Sequence, residues 1–367
     1  MEEEKDDKLE QDVIPELQTS EKSLTDFEEE SVDLSMWKPK QDEDNDDGVI
    51  DEIDPDKTTN PFPPSEVVIS TFDVSQDRKV IGLTFLGRSH HNRGSVCQDY
   101  HIFKDLGNGW QIYIVSDGAG SASQAHRGAK MNCELGLHLV SRLVDKSDWM
   151  HQEKLPTDVD WAIEFNNLCN AIRQMTIEKI ECLDEPVKPK DFNATFMLMI
   201  VAPDGMLCGH IGDGRMGYKD FNEKWHSIIT PHKGDEPNQT VFMMNEWDRI
   251  RIPKLKMSDV YVPEATVVRD KPKAVVLITD GCENLSWNCT QFDSDIERYV
   301  DVNTPFEPFW NALTEMFKDD TSYNSMVDYV DNSSEPCLLE EDDRTLILGV
   351  YDSPLNTKND ETAIHSV

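Results

Sequence analysis

Four apolar stretches of this chain are bounded by an aspartate: at Gln98-Asp99-Tyr100, at Ser116-Asp117-Gly118, at Thr279-Asp280-Gly281, and at Asp342-Asp343 ahead of Arg344-Thr345-Leu346. Ile112-Tyr113-Ile114-Val115 is β-branched and aromatic and reads as a buried strand, so Asp117 falls where the chain leaves a sheet. Ala274-Val275-Val276-Leu277-Ile278-Thr279 repeats the device and delivers Asp280-Gly281. Two strand ends of this kind can face each other across one sheet edge and collect carboxylates there. Glycine after the aspartate permits an unusual backbone turn, which leaves its carbonyl free to point at a ligand. A single Asp-Gly after a strand is most often a plain turn, and it is the recurrence that points to a site. Such oxygen donors suit magnesium or manganese, which keep several waters and need only a few carboxylates. No Cys-x-x-Cys or His-x-x-x-His cluster offers zinc an alternative.

Between the second and third aspartates the periodicity changes. Ala129, Cys133, Leu137, Val140 and Val144 recur at helical spacing with Arg and Lys opposite. Trp161, Phe165, Leu168, Ile172 and Met175 form a second helical stripe, capped by Thr157 or Asp158. Residues 194–201 are almost wholly apolar, Asp204-Gly205 makes a hairpin turn, and residues 206–212 return as a strand. Residues 240–268 contain Met243-Met244, Trp247 and Arg249-Ile250-Arg251 and read as a short hairpin, whose side chains either shape access to a site or simply pack.

Charge divides the chain. Of 367 residues with a net charge of −37, the first 60 hold 23 acidic and 6 basic residues, with few aromatics and no sustained periodicity. Residues 1–65 therefore read as an acidic disordered arm ending in the extended linker Pro61-Phe62-Pro63-Pro64. A folded domain spans 66–352, opening with the strand Glu66-Val67-Val68-Ile69-Ser70, and 353–367 is a flexible tail. The arm reads as a solvating tail, as a docking arm for a basic protein partner through Leu17, Leu24, Phe27, Leu34, Met36 and Trp37, or as a segment that competes for the active site. So negative a surface argues against nucleic acid and anionic membrane as partners. No apolar run approaches a membrane span and Met1-Glu2-Glu3-Glu4 is unlike a signal peptide, so the expectation is a soluble cytoplasmic protein, by default a monomer. The eight cysteines are scattered and mostly inside apolar stretches, as reduced core thiols would be.

Taken in order, Gly87-Arg88-Ser89-His90 through Cys97-Gln98-Asp99, Val115-Ser116-Asp117-Gly118-Ala119-Gly120-Ser121, Gly209-His210-Ile211-Gly212-Asp213-Gly214-Arg215, Ile278-Thr279-Asp280-Gly281 and Asp342-Asp343-Arg344-Thr345-Leu346 resemble the metal-dependent serine/threonine protein phosphatases of type 2C. The resemblance runs from Ile81 to Tyr351 and is to the compact bacterial-type branch, to which Lys233-Gly234-Asp235-Glu236-Pro237-Asn238-Gln239-Thr240-Val241-Phe242 is also similar. It implies an α+β fold, a four-layer α-β-β-α sandwich of two antiparallel sheets flanked by helices. It implies two Mn²⁺ or Mg²⁺ ions and a third, weakly bound one, with a phosphorylated protein as substrate. Asp117 would bridge two ions with the Gly118 carbonyl on one, Asp280 and Asp342 would complete a shell, and Asp99 would act mainly through bound waters. A water shared by the ions would attack phosphorus in line, without a covalent phosphoenzyme.

The resemblance leaves several roles open. Asp191 is either a ligand of the third ion or a residue that opens a strand, Asp343 is either a ligand or a support for Asp342, and Asp213 reads as a turn residue more than a ligand. Gln98, standing where many relatives have glutamate, can orient a metal-bound water. The arginine that many relatives use for the substrate phosphate is replaced by Gly94, which leaves Arg93 or Arg88 as the anchor. Ala119 stands where animal relatives carry a proton-donating histidine, so His90, His91, His126 or a metal-bound water would protonate the leaving group. Three readings compete: a metal-dependent protein phosphatase, which the retention of Asp99, Asp117, Asp280 and Asp342 favours; a catalytically weak phosphatase-like interaction module; and a calcium- or magnesium-stabilised binding protein. No Gly-x-Ser-x-Gly elbow, no phosphate-binding Gly-x-x-x-x-Gly-Lys loop and no tyrosine-phosphatase signature competes.

Overall fold

The apolar runs of the sequence are strands covered on both faces, and this decides the layering. The computed structural model describes residues 67–75, 78–152, 154–233, 240–247, 262–294, 297–319 and 322–351. The acidic arm and linker at 1–65, the tail at 353–367 and Arg249-Ile250-Arg251 lie outside the described residues. The strands are β1 (Val67–Ser75), β2 (Arg78–Phe85), β3 (Tyr100–Gly107), β4 (Trp110–Ser116), β5 (Phe196–Ala202), β6 (Gly205–Ile211), β7 (Arg215–Lys219), β8 (Trp225–Ser227), β9 (Glu264–Val268), β10 (Ala274–Ile278), β11 (Trp287–Asp293), β12 (Arg298–Pro305) and β13 (Arg344–Tyr351). The helices are α1 (Arg88–Arg93), α2 (Ala125–Lys146), α3 (Trp149–Gln152), α4 (Asp158–Glu181), α5 (Glu283–Ser286), α6 (Glu307–Lys318), α7 (Tyr323–Asn332) and α8 (Glu335–Leu339).

One sheet has the order β1-β2-β13-β10-β7-β8, the other β3-β4-β5-β6-β9, and β11-β12 form a separate ribbon. All of these pairings are antiparallel. Alternate residues of each strand go to opposite layers. From β4 and β5, Tyr113, Val115, Met197 and Met199 meet Met216, Val275, Leu277 and Ile347 of the other sheet. Their neighbours Ile112, Ile114, Phe196 and Leu198 pack instead on Val140 of α2 and Phe165, Leu168 and Ile172 of α4. On the far side Leu83, Val276, Ile278 and Leu348 pack on Trp310 and Leu313 of α6 and Met326 of α7. Three core layers therefore separate four structural layers, the α-β-β-α sandwich expected. Covering both faces explains why β5 and β10 are apolar at every position, where an antiparallel sheet with one wet face would alternate.

Helix α4 starts as expected at Thr157, whose hydroxyl accepts from the Asp160 N–H at 3.1 Å, with Asp158 and Asp160 favouring its positive end. Of the short hairpin expected within 240–268, residues 248–261 lie outside the described residues, and 240–247 form no strand. Among the described residues β9 instead adds to the edge of β6, with His210 opposite Glu264, and Val241, Met243, Met244 and Trp247 are buried in the core beneath α2 and α4. An open sheet edge and a run of large apolar side chains are both satisfied this way, so these side chains pack and do not line an access route. Among the described residues no helix is long and apolar enough to cross a membrane. All eight cysteines are free.

Phe165 lies at the centre of the α4 layer, fully buried, stacked on Phe196 at 6.2 Å and resting against Gly209, where a Cβ would come within 2.5 Å of its ring. Phe165→Ala is expected to cost about 3–5 kcal/mol, read as a lower urea midpoint with an unchanged denaturant slope.

Candidate metal centre

Strand register brings the acids together. Tyr100 faces Ser116 across β3 and β4, so Asp99 and Asp117, one step further, face each other at the same end. Ile278 faces Arg215 across β10 and β7, which sets Asp280, two residues on, opposite Asp213, two residues back. Ile278 also faces Leu346 on β13, so Asp342-Asp343 enter at this end too. Carboxylate oxygens of Asp117, Asp213 and Asp280 lie within 4.8 Å of one another. Asp213, read from sequence as a turn residue, thus stands among the converging acids.

Two threonines hold the arrangement. Thr195 at the start of β5 receives the Asp117 N–H on its hydroxyl at 2.9 Å and gives its own N–H to the Asp117 carbonyl at 2.7 Å. Thr279 receives the Thr345 N–H at 2.9 Å and donates its hydroxyl to Asp99 Oδ2 at 2.8 Å, tying the two sheets together at the site. Neither was singled out from sequence, because a hydroxyl at a strand end carries no pattern of its own.

Asp343 is a support. Its Oδ1 accepts from Gly87 N and its Oδ2 from Gln98 N, both at 2.6 Å, with His90 Nδ1 2.9 Å from Oδ2. This spends the carboxylate on the loop that carries Asp99 and leaves its exposed neighbour Asp342 facing the site, where its charge acts on Asp117 and Asp280. The Gly118 carbonyl is available as well. Gly118 pairs with Ala194 through flanking bonds from Ala119 N to Asn193 O and from Thr195 N to Asp117 O, so its own N–H and C=O point away from that partner.

The glycines act differently from the expectation. Neither Gly118 nor Gly281 has a positive φ, so neither makes an unusual turn. A Cβ on Gly281 would lie 2.0 Å from the Asp343 carbonyl oxygen, and one on Gly118 would lie 2.8 Å from the Gln98 carbonyl oxygen. They are glycine because the acid-bearing segments approach at backbone distance.

So many enclosed carboxylates cannot all ionise without counter-charge. Burial pushes Asp99 up to about 8, with the charge of Asp343 adding to it and the contacts with Asp117 and Thr279 opposing it. Asp117 and Asp280 are held well above the usual carboxylate range, first by burial and then by the neighbouring acids. Asp213 is pushed up to about 6, burial exceeding the relief given by Lys233. Asp99 Oδ1 and Gln98 Oε1 are buried with no hydrogen-bond partner among the described residues. An all-oxygen donor set short of positive charge fits hard divalent ions such as Mg²⁺ or Mn²⁺.

Most other expected site residues have nearby partners. Arg88 bonds the Cys337 carbonyl at 3.3 Å and approaches Asp331 at 3.9 Å, bracing α1 against α7 and α8. Arg93 turns back on its own helix, its Nε donating to the Ser89 carbonyl at 3.0 Å. His90 is taken up by Asp343. His91 is exposed, and His126 is half-buried at the start of α2, its imidazole lowered by burial and by Arg127. Ala119 packs with Ala122, Ala125 and Phe242, a small apolar cluster. Asp191, expected for a third ion, accepts from the Lys188 N–H at 2.8 Å and closes the turn Pro189–Phe192. The cation brought toward the acids is Lys233, which sequence reasoning did not single out. It is half-buried, its Nζ lies 2.6 Å from Glu283 Oε2, and its charge offsets that of Asp213. Glu283 also accepts from Arg215 Nε at 2.7 Å, and Arg215 holds Asp301 and Asn303 of β12.

Residues 86–331 match the sequence profile of the family described as protein phosphatase 2C. The chain belongs to the protein phosphatase 2C family. Membership makes it, by class, a protein serine/threonine phosphatase. Among its relatives is serine/threonine-protein phosphatase 3 of Escherichia coli (strain K12), 27% identical over 242 residues, which span 65% of this chain and 83% of the relative. Similar solved structures include the serine/threonine phosphatase Stp1 from Staphylococcus aureus, at 12% identity over 75% of this chain and 95% of that one, with a TM-score of 0.46. The serine/threonine phosphatase of S. agalactiae aligns at 15% identity over 78% of this chain and 99% of that one, with a TM-score of 0.42.

The acid cluster of this 2C phosphatase makes metal-free stability depend on pH in a definite direction. A carboxyl whose folded pKa lies above its ordinary 3.8, as for Asp99 near 8 and Asp213 near 6, lends stability below the ordinary value and loses it as pH rises through the folded one. In chelator the melting temperature is expected to fall between about pH 5 and about pH 8, and Mn²⁺ is expected to reverse the fall. Thermal scans with and without chelator check this, and Asp99→Asn should flatten the profile.

Proposed function

We propose that this protein hydrolyses phosphoserine and phosphothreonine in proteins at the acid cluster, with divalent metal ions held by Asp117, Asp213, Asp280 and Asp342 and by the Gly118 carbonyl. The observation that supports this most is the convergence of Asp117, Asp213 and Asp280 within 4.8 Å at one end of a 2C-family sandwich. Two Mn²⁺ or Mg²⁺ ions, when bound, supply an acidified water and positive charge opposite the phosphoryl oxygens. Asp117, which feels the charge of Asp99, Asp280, Asp213 and Asp342, would be the carboxylate that holds the ions most directly. Asp99, buried and fixed by Thr279, is set back and acts through water.

With Arg88 and Arg93 committed to α7, α8 and α1, the substrate phosphate needs another cation, and Lys233 is assigned that role. Glu283 holds its ammonium beside the acids, and a phosphate oxygen can share the ammonium's remaining donors.

The experiment is phosphate release from a phosphothreonine peptide with and without Mn²⁺. Release is expected only with metal and is expected to be abolished in Asp117→Asn, while retained turnover in that variant would overturn the assignment. Mn²⁺ binding without release would favour the interaction-module reading. Lys233→Ala is expected to raise KM about tenfold, the equivalent of about 1.4 kcal/mol, with a smaller change in kcat.

A further inference from the structure

A second cluster lies beside the metal centre and is not explained by it. His210 on β6, Glu264 opposite it on β9, and His232 after β8 bring ligand-type atoms within 4.8 Å of one another. Both imidazoles are fully enclosed and stacked, with centroids 4.1 Å apart. Histidine and carboxylate at this spacing resemble a transition-metal site, but the hydrogen bonds assign the protons otherwise. The Gly212 N–H, which can only donate, points at His232 Nδ1 at 3.2 Å, so that nitrogen carries a lone pair and Nε2 carries the proton. His210 Nε2 faces the Thr230 carbonyl, which can only accept, at 3.0 Å, so it too carries a proton. The nitrogens nearest Glu264 Oε2, at 3.5 Å for His232 and 4.0 Å for His210, therefore carry hydrogen and face the carboxylate without a formed hydrogen bond, His232 Nε2 and Glu264 Oε2 having no partner among the described residues. Burial, which lowers His232 to about 4, keeps the ring neutral and the lone pair in place.

What the lone pair holds is the Gly212 peptide. His232 also gives its backbone N–H to the Gly212 carbonyl at 2.9 Å, so Gly212 is gripped on both of its polar groups. Gly212 has φ +128°, a conformation that L side chains rarely adopt, and a Cβ there would come within 2.5 Å of Thr195, the residue that fixes Asp117. The next residue is Asp213. Thr240, which donates its hydroxyl to the His232 carbonyl at 2.9 Å, also lies close enough to Asp213 to lower its carboxyl against the effect of burial.

We propose that His232, stacked on His210 and facing Glu264, is a positioning residue for the metal centre. Its neutral imidazole locks the Gly212 peptide and so sets Asp213, and through Thr195 Asp117, at ligand distance. The proposal rests on the reading of the acid cluster as a metal site. It makes the histidine pair an outer support for metal ligands and not a second metal site.

Two substitutions separate the two ends of the ring. His232→Asn keeps an acceptor at the position of Nδ1, whereas His232→Gln keeps a donor near Nε2 and loses that acceptor. Direct Mn²⁺ titration by calorimetry on the full chain, with melting in chelator to confirm folding, is the measurement. His232→Gln is expected to weaken Mn²⁺ binding about 10–100-fold and His232→Asn to stay within about threefold of wild type. Equal affinities in the two variants would overturn the proposal. So would one Zn²⁺ bound per chain in Asp117→Asn/Asp280→Asn and lost on adding Glu264→Gln, since that would make the trio a metal site. A wild-type chain that takes up no Mn²⁺ would instead sink the reading of the acid cluster, and the proposal with it. That result is distinguishable because it appears before any variant is compared.

Discussion

Gathering negative charge at one end of a dry sandwich is the constraint on which the rest of this structure depends. Bringing Asp99, Asp117, Asp213 and Asp280 out of water and toward one another is unfavourable at every step, as the upward displacement of their carboxyl groups records. The opposing free energy comes from elsewhere. Three apolar layers and the ladders of two antiparallel sheets fix the strand ends, and the acids sit on those ends by covalent continuity. Local side-chain bonds then remove the remaining freedom: Thr279 for Asp99, Thr195 for Asp117, and Asp343 for the loop ahead of β3. The site is preorganised because its cost is carried by parts of the fold that are not in it.

How far the sequence discloses this follows from which interactions are local. Helices α2 and α4 are legible because their stripes repeat at short range, and the cap at Thr157 is a property of three neighbouring residues. Strands covered on both faces are legible as unbroken apolar runs, and the aspartates that bound them stand out as interruptions. Asp213 was not legible as a member of the cluster, because its place depends on β7 pairing with β10, a register between segments some sixty residues apart. Arg88 is taken up by distant elements in the same way, whereas Arg93 is engaged locally by Ser89. Arg88 looks available until the distant α7 and α8 supply Asp331 and the Cys337 carbonyl. Lys233, at the head of a segment similar to the family but with no role legible there, acquires one only through Glu283, fifty positions later.

The glycines show how identical residues can answer to different physics. A glycine beside an aspartate invites a reading in terms of backbone freedom, and Gly212, which precedes Asp213, has the positive φ that such a reading requires. At Gly118 and Gly281 the backbone is ordinary and the missing atom is what matters, since each passes another main chain too closely for a side chain. Sequence cannot separate the two cases, because both appear as a glycine beside an aspartate. The distinction bears on function. A turn glycine sets direction, whereas a contact glycine sets the separation of the two acid-bearing segments, and metal ligation depends on separation.

The same charge pattern orders events at the site. A phosphate dianion approaching this end of the sandwich meets carboxylates from β3, β4, β10 and β13, and the flanking cations are already engaged: Arg215 with Glu283 and Asp301, and Lys233 with Glu283. Left to its own residues the site repels its substrate. On the proposed reading divalent ions would have two inseparable roles: they would relieve the acids of a charge the fold cannot otherwise bear, and they would reverse the sign of the potential that the phosphate encounters. On the proposed reading metal would precede substrate, and the supports at Thr195, Thr279 and His232 would serve the first of these events before the second.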